Sequence, residues 1–382
     1  MPDAIACYRQ ALALQPEDPT VANDLGQALT AVGKADEAIA LFVKALAVRP
    51  TFADAQNNLG IALRRVGQVD HAIASFGRAI ALQPDFAEAH NNRGNAQIER
   101  GDVALALASF QRALMIREAP EFRVSFARCI RSIDLDVVDP EVRRLVTRAL
   151  SEPWTRPSDL ATVAIKLIGR NGAVSECIDR ASHAWPARLP ADELFGTAGI
   201  AALADDPLLL ALLETTHICD LPLERTLTMA RHALLGKALR TGVDVAHGSA
   251  ALAFHCALAR QCFITEYVFA TTDEEVLLAG RLRAELDAAL QSDAPVSATW
   301  VCAVAAYLPL GNLRNAAALA GRSWPDAVAA LITQQIAEPA EERQDRNAVP
   351  RLTAIDDDVS LIVRRQYEEN PYPRWVKLPT PG

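Results

Sequence analysis

The sequence predicts an all-α fold: an α-α superhelix, or solenoid, followed by an irregular helical domain and then a short helix with an extended aromatic tail. Three observations carry this expectation. Residue types recur 34 positions apart across the first third of the chain: Pro16, Pro50 and Pro84; Gly26, Gly60 and Gly94; Ala11, Ala45, Ala79 and Ala113; Tyr8, Phe42, Phe76 and Phe110. Helix-start signals then continue through the middle, and nowhere do β-branched or aromatic residues alternate over a useful length. Finally, 382 residues that are 51% hydrophobic exceed one ordinary core and can bury a large helical one.

Each period codes for two antiparallel helices. In the copy from Ala53 to Phe86 the first helix is expected from about Asp54 to Val66 and the second from about Val69 to Leu82. Gly60 and Ala72 are small, so the helices can approach closely, whereas a bulky side chain there would overpack the contact. Leu59 and Leu63 share one face of the first helix, and Ile73 and Phe76 one face of the second. Gly67 ends the first helix by accepting a left-handed backbone, and Pro84 stops the second because it has no N–H to donate. On this pattern residues 1–18 form a half repeat and 19–52, 53–86 and 87–120 form full repeats. Met1 to Gln15 aligns with a second helix, and no first helix precedes it. Either the natural chain starts earlier or this end frays.

A 34-residue period with Leu-Gly early, Gly midway, Ala and an aromatic later and Pro at the end resembles the tetratricopeptide repeat. The resemblance implies repeats stacked into a curved array that binds a protein or peptide on its concave side, lined mainly by first helices. There the sequence places Asn57, Asn58, Asn91, Asn92 and Asn95, with Asn23, Asp24 and Gln27 in the preceding copy. An Asn amide offers one acceptor and two donors and can pair with both groups of a passing peptide unit. Asn58 and Asn92, each just before the Leu-Gly position, look like the asparagine ladder of some peptide-binding arrays, including those fused to protein O-GlcNAc transferases. Asp24 departs from that pattern, and Arg93 replaces the Leu. The plainer reading is a row of solvated polar residues beside a structural Gly.

The net charge is −9 and no basic stripe interleaves with aromatics, which argues against a nucleic-acid partner. The first ten residues lack the basic-then-apolar order of a secretory signal. The most apolar windows, Thr197 to Leu213 and Val296 to Leu310, are respectively interrupted by Asp205, Asp206 and Pro207 and too short to span a bilayer. No membrane partner is expected. The seven cysteines, Cys7, Cys129, Cys177, Cys219, Cys256, Cys262 and Cys302, are odd in number and form no C-x-x-C pair. Buried free thiols in a reducing cytoplasm are the expectation.

Residues 121–338 read as a separate all-helical domain without a fixed repeat. Asp139-Pro140 opens a helix to about Leu150. Ser158-Asp159 opens one ending at Gly169 or Gly172, and Asp206-Pro207 and Leu221-Pro222 start two more. Thr272 and Glu275 form a capping box ahead of Val276, Leu277, Leu278, Leu282 and Leu286. Pro295 and Pro325 mark two late starts. His247, His255, Cys256 and Cys262 lie near one another in sequence, but His255 and Cys256 are adjacent and diverge on a helix. No metal site is expected there, and no catalytic pair is legible. The stretch Gln261 to Phe269 reads as an amphipathic helix with Cys262, Glu266 and Phe269 on one side.

Residues 339–355, within the run EPAEERQDRNAVP and beyond, read as a linker. In 356–382, Asp356 or Asp357 caps a short helix with Val359, Ile362, Val363, Gln366 and Tyr367 on one stripe, ending at Asn370-Pro371. The following Tyr372-Pro373-Arg374-Trp375 has no core of its own. VRRQYEENPYPRW, together with RQCFITEYVF at Arg260 to Phe269, resembles bacterial proteins that place tetratricopeptide repeats before a class I S-adenosylmethionine-dependent methyltransferase domain. That family's cofactor site is a Gly-rich turn after the first strand of a Rossmann-like fold. No G-x-G-x-x-G or comparable cluster occurs here. The resemblance therefore implies a parent that uses S-adenosylmethionine, while this chain itself holds no cofactor and no catalytic residue. For Tyr367, Tyr372 and Trp375 there are two readings, a cover over the pocket of the methyltransferase domain and ordinary interdomain packing, of which the second is favoured. Two other readings stand beside this one: a free-standing interaction scaffold, and the repeat region of a protein glycosyltransferase, against which the Tyr-Pro-Arg-Trp tail argues.

Overall fold

A computed structural model describes residues 2–131, 139–152, 154–241 and 249–348. Every regular element among them is helical. The described residues divide into two compact units, one holding 2–131 and the other 139–348.

The first unit contains α1 (Pro2–Leu14), α2 (Pro19–Ala31), α3 (Ala35–Val48), α4 (Ala53–Arg65), α5 (Val69–Leu82), α6 (Ala87–Arg100), α7 (Val103–Ile116) and α8 (Pro120–Ile130). Consecutive helices pack pairwise. First helices α2, α4 and α6 also touch the next first helix, α4, α6 and α8 in turn, whereas the second helices α3, α5 and α7 pack chiefly on first helices. The side on which like helices meet is the inner side of the stack. Gly67 turns the chain between α4 and α5 at φ 78°, as its position after the first helix requires.

The small residue of the Leu-Gly pair has a more specific task than general helix approach. A Cβ on Gly60 would lie 2.6 Å from Cε1 of Phe76, and Gly26 and Gly94 stand in the same relation to Phe42 and Phe110. Each second-helix aromatic ring therefore lies against the bare backbone of its own first helix. All three rings are wholly buried. The half repeat is a formed helix: Ile5, Tyr8 and Leu12 of α1 pack against the core that contains Leu25, Leu29 and Phe42.

The expected boundary at 120/121 is corrected by α8. It packs on α6 and α7 as the first helix of a further copy and lies in the first unit. Phe122, Ser125 and Phe126 are its buried face. The repeat signal fades here because Arg128 replaces the Gly that α2, α4 and α6 carry.

The second unit comprises α9 (Pro140–Ser151), α10 (Pro157–Ile168), α11 (Gly172–Ala184), α12 (Ala191–Phe195), α13 (Ala201–Ala204), α14 (Pro207–Thr215), α15 (Leu221–Thr241), α16 (Ser249–Ile264), α17 (Asp273–Gln291), α18 (Ala298–Ala305), α19 (Ala317–Ala320), α20 (Asp326–Ile332) and α21 (Glu338–Ala348). α16 is central, packed by α13, α14, α18 and α20. Phe254, Cys256, Ala257, Leu258, Ala259 and Cys262 are buried around its whole circumference, as a helix with no solvent face requires.

Several expected starts shift slightly. The second helix of this unit begins at Pro157, with Arg156 rather than Ser158 as N-cap. The helix after Pro295 begins at Ala298, capped by the Ser297 hydroxyl. The stretch Gln261–Phe269 is not one helix. α16 ends at Ile264, and Glu266 and Tyr267 take left-handed φ values of 54° and 60°. Residues 339–348 are helical rather than linker. Their Glu, Arg and Ala are good helix formers, and the π-helical turn Thr333–Ala337 joins α20 to α21 just ahead of Pro339. Proline clashes with the carbonyl four residues back, and widening the preceding turn is one way to admit it. The helix and Tyr-Pro-Arg-Trp segment expected in 356–382 lie outside the described residues.

Two buried anions anchor the second unit. Asp206 caps α14, accepting from Leu208 N at 3.0 Å and Leu209 N at 3.1 Å. It also accepts from Asn171 Nδ2 at 2.9 Å and from the Arg143 guanidinium. Glu275 closes the capping box, its Oε2 accepting from Thr272 N at 2.8 Å. Its side chain is wholly buried beside Arg231 and Arg188, the latter 3.2 Å from Oε2. The Tyr307 hydroxyl donates to Oε1 at 2.8 Å, and the Arg231 guanidinium lies 4.4 Å from the Tyr307 ring centroid. Burial opposes ionisation of Glu275. The Thr272 N–H, the Tyr307 hydroxyl and the two guanidinium charges outweigh it and hold the carboxyl below its ordinary range.

Candidate functional site

The asparagines expected to line a peptide groove lie along α2, α4 and α6. Their amides are engaged with each other across repeats. Asn58 Nδ2 donates to Asn23 Oδ1 at 3.0 Å, and Asn92 Nδ2 donates to Asn57 Oδ1 at 3.0 Å. Asn23 Nδ2 in turn donates to Asp24 Oδ1 at 3.3 Å. The inner members Asn23, Asn57 and Asn91 are buried; Asp24, Asn58, Asn92 and Asn95 are half-buried, and Gln27 is exposed. The row thus couples neighbouring repeats. Asn58 and Asn92 each keep their carbonyl oxygen and one N–H beyond these bonds.

The ladder stops at Asn91. The position that holds Asn58 and Asn92 in two copies holds Phe126 in the next, so no amide follows. Asn91 Oδ1 is buried and has no hydrogen-bond partner among the described residues. Asn95 instead accepts from Arg128 Nη2 at 2.8 Å.

Arginine contacts around the row were not foreseen from the sequence. Arg65 donates to the Thr30 carbonyl on the preceding first helix. Arg78 Nε donates to Gln56 Oε1 at 3.0 Å and its Nη2 to Ser75 Oγ at 2.9 Å. Arg93, in the place of the expected Leu, donates to Ser109 Oγ at 3.2 Å, and Ser109 Oγ donates to Gln97 Oε1 at 2.8 Å. Burial lowers the Arg93 pKa from its ordinary value. A signal was present: Ser75 and Ser109 are small polar residues one period apart on the second helices, facing the first.

The residues weighed for metal or thiol chemistry are packed in the second unit. His255, Cys256 and Cys262 are buried in α16, and His247 lies outside the described residues. Cys256 Sγ is 3.4 Å from Cys302 Sγ, and burial pushes the Cys262 thiol up to about 11. Such thiols are poor nucleophiles at neutral pH. Among the described residues no group of three His, Cys, Asp or Glu side chains could hold a metal ion. All seven cysteines are free; contrary to expectation, Cys7 and Cys219 are exposed. No described helix is long and apolar enough to cross a membrane.

Residues 26–67 match the family model described as TPR repeat, and residues 57–121 match a Tetratricopeptide repeat model. No curated protein matches the chain. Among solved structures, YrrB, described as a TPR protein with an unusual peptide-binding site, shares 18% identity at a TM-score of 0.37, covering 47% of this chain and 92% of that one. MamA shares 22% identity at a TM-score of 0.34, covering 38% and 85%. The second TPR domain of human RPAP3, solved with an HSP70 peptide, shares 20% at 0.28, covering 29% and 97%. The matched segments and the paired helices with their Gly–Phe contacts agree: residues 26–121 of this chain are tetratricopeptide repeats.

Proposed function

We propose that the repeat array is a scaffold that binds a protein or an extended peptide along its first helices. The observation that carries this reading is the aligned amide row on the inner side, whose members pair with one another and still keep unused donors and acceptors. Prepaired amides are held in place before a ligand arrives, which lowers the ordering cost of binding. A peptide unit can take the free carbonyl and N–H of Asn58 and of Asn92, with Gln27 and Asn95 flanking them.

On a peptide array, Asn58→Ala/Asn92→Ala is expected to lose most binding. The same variant removes the donors to Asn23 and Asn57, at a cost of about 1–3 kcal/mol for each acceptor left unpaired. Gln27→Ala separates binding from folding, because Gln27 is exposed. It is expected to weaken the same peptides by roughly 2–10-fold, the size of one hydrogen bond, at an unchanged melting temperature. Unchanged binding in both variants would end the peptide-row reading.

We further propose that the array recruits targets for an S-adenosylmethionine-dependent methyltransferase. The support is the likeness of VRRQYEENPYPRW and RQCFITEYVF to proteins of that organisation. The likeness to protein O-GlcNAc transferase arrays extends to the Asn row alone. Calorimetric titration of the 382-residue chain with S-adenosylmethionine is expected to give no binding heat, since the sequence has no strand followed by a Gly-rich turn. Micromolar affinity would refute that assignment of the cofactor to another domain.

A further inference from the structure

A slot of about 260 Å³ lies in the second unit between the segment Leu189–Asp192 and α15, where His232, Ala233, Gly236 and Arg240 line it. Residues 232, 236 and 240 fall on one helical stripe, each step rising about 6 Å. Ala233 and Gly236 form a low floor between two larger ends. Gly236 matters for what it omits: a Cβ there would lie 3.2 Å from Arg240 Nη1. The Arg240 guanidinium therefore folds back along the helix toward His232.

The charges in this slot have no internal use. Asp192 and Arg240 both line it, yet neither has an ion-pair partner among the described residues. His232 faces Glu275 on one side. Its Nδ1 is buried and lies 3.8 Å from Glu275 Oε1, while 29% of the side chain stays exposed. In the neutral ring with its proton on Nδ1, the nitrogen nearer Glu275, Nε2 is an acceptor.

We infer that this slot binds a small zwitterion of the free amino-acid class. The ligand carboxylate sits on the Arg240 guanidinium, and its ammonium sits between the Asp192 carboxylate and His232 Nε2. A simple anion would meet Asp192 repulsively and a simple cation would meet Arg240 so; a ligand carrying both charges satisfies every group. Charge-assisted bonds from a guanidinium fork supply the affinity.

Calorimetric titration of the full chain with glycine, L-serine and L-leucine tests this, with propionate and ethylamine as single-charge controls. At least one amino acid is expected to bind with a Kd below ~1 mM, and both controls at least about tenfold more weakly. Arg240→Gln and Asp192→Asn are each expected to weaken that ligand by about tenfold or more, with helical circular dichroism unchanged because both side chains are exposed. No heat from any of the three at ~10 mM, a control binding as tightly as the amino acid, or unaltered affinity in both variants would each overturn the assignment.

Discussion

Phe76→Ala is expected to destabilise the repeat array by about 3–5 kcal/mol, the cost of truncating a fully buried aromatic. The ring is wholly buried and clusters with Leu59, Leu63 and Ala72. It also fills the space above Gly60, so its loss leaves an opening that the helix backbone cannot close. Because each repeat is stabilised by its neighbours, a loss in a central copy propagates to both sides. The measurement is urea unfolding followed by helical circular dichroism. All five tryptophans lie beyond residue 150, so their fluorescence reports the second unit and supplies the contrast. The Gly60 contact is tested separately. Gly60→Ala is expected to cost about 1–3 kcal/mol with Phe76 present, and clearly less in a Phe76→Leu background. Equal costs in both backgrounds would show that ring and glycine are not coupled.

Glu275→Ala is expected to cost the second unit about 3–5 kcal/mol, because it strands buried guanidinium charge. Arg231 is as buried as its partner; with Glu275 gone its neighbours are the Tyr307 ring and the Phe269 and Ala270 carbonyls. The same substitution also removes the acceptor for Thr272 N at the start of α17. Tryptophan-monitored unfolding should show the shift. Its pH dependence is a second check. The folded carboxyl titrates below its unfolded value of about 4.3, so its ionised form contributes stability that is fully present above that pH. The contribution fades as pH falls through the depressed folded value. The stability gap between the natural protein and Glu275→Gln is therefore expected to be constant near neutrality and to shrink under acid. A gap that widened toward low pH would contradict the assigned charge state.

These two sites show how differently the two units are written into the chain. In the repeats every important contact is made to the same unit or the next, so it recurs at one spacing. Gly60 and Phe76, 16 positions apart in each of three copies, are both marked by the period. The asparagine row was legible for the same reason. The pairing of Asn58 with Asn23 and of Asn92 with Asn57 was not, since it depends on the rise between stacked helices. The end of the row at Asn91 was likewise hidden, although Phe126 stands in phase with Asn58 and Asn92.

The sequence alone determined the helical class, the 34-residue unit, the turn glycines and most helix starts, because these are local properties of propensity, capping and period. It also marked Glu275, but only as a cap. The tertiary structure decided that this carboxylate closes a buried cluster with Arg188, 87 positions away, that α8 belongs with the repeats, and that Arg240 lies over Gly236 beside His232 and Asp192. Such contacts join residues at unrelated spacings. A single chain read in order carries no periodic trace of them, and only packing in three dimensions brings the groups together.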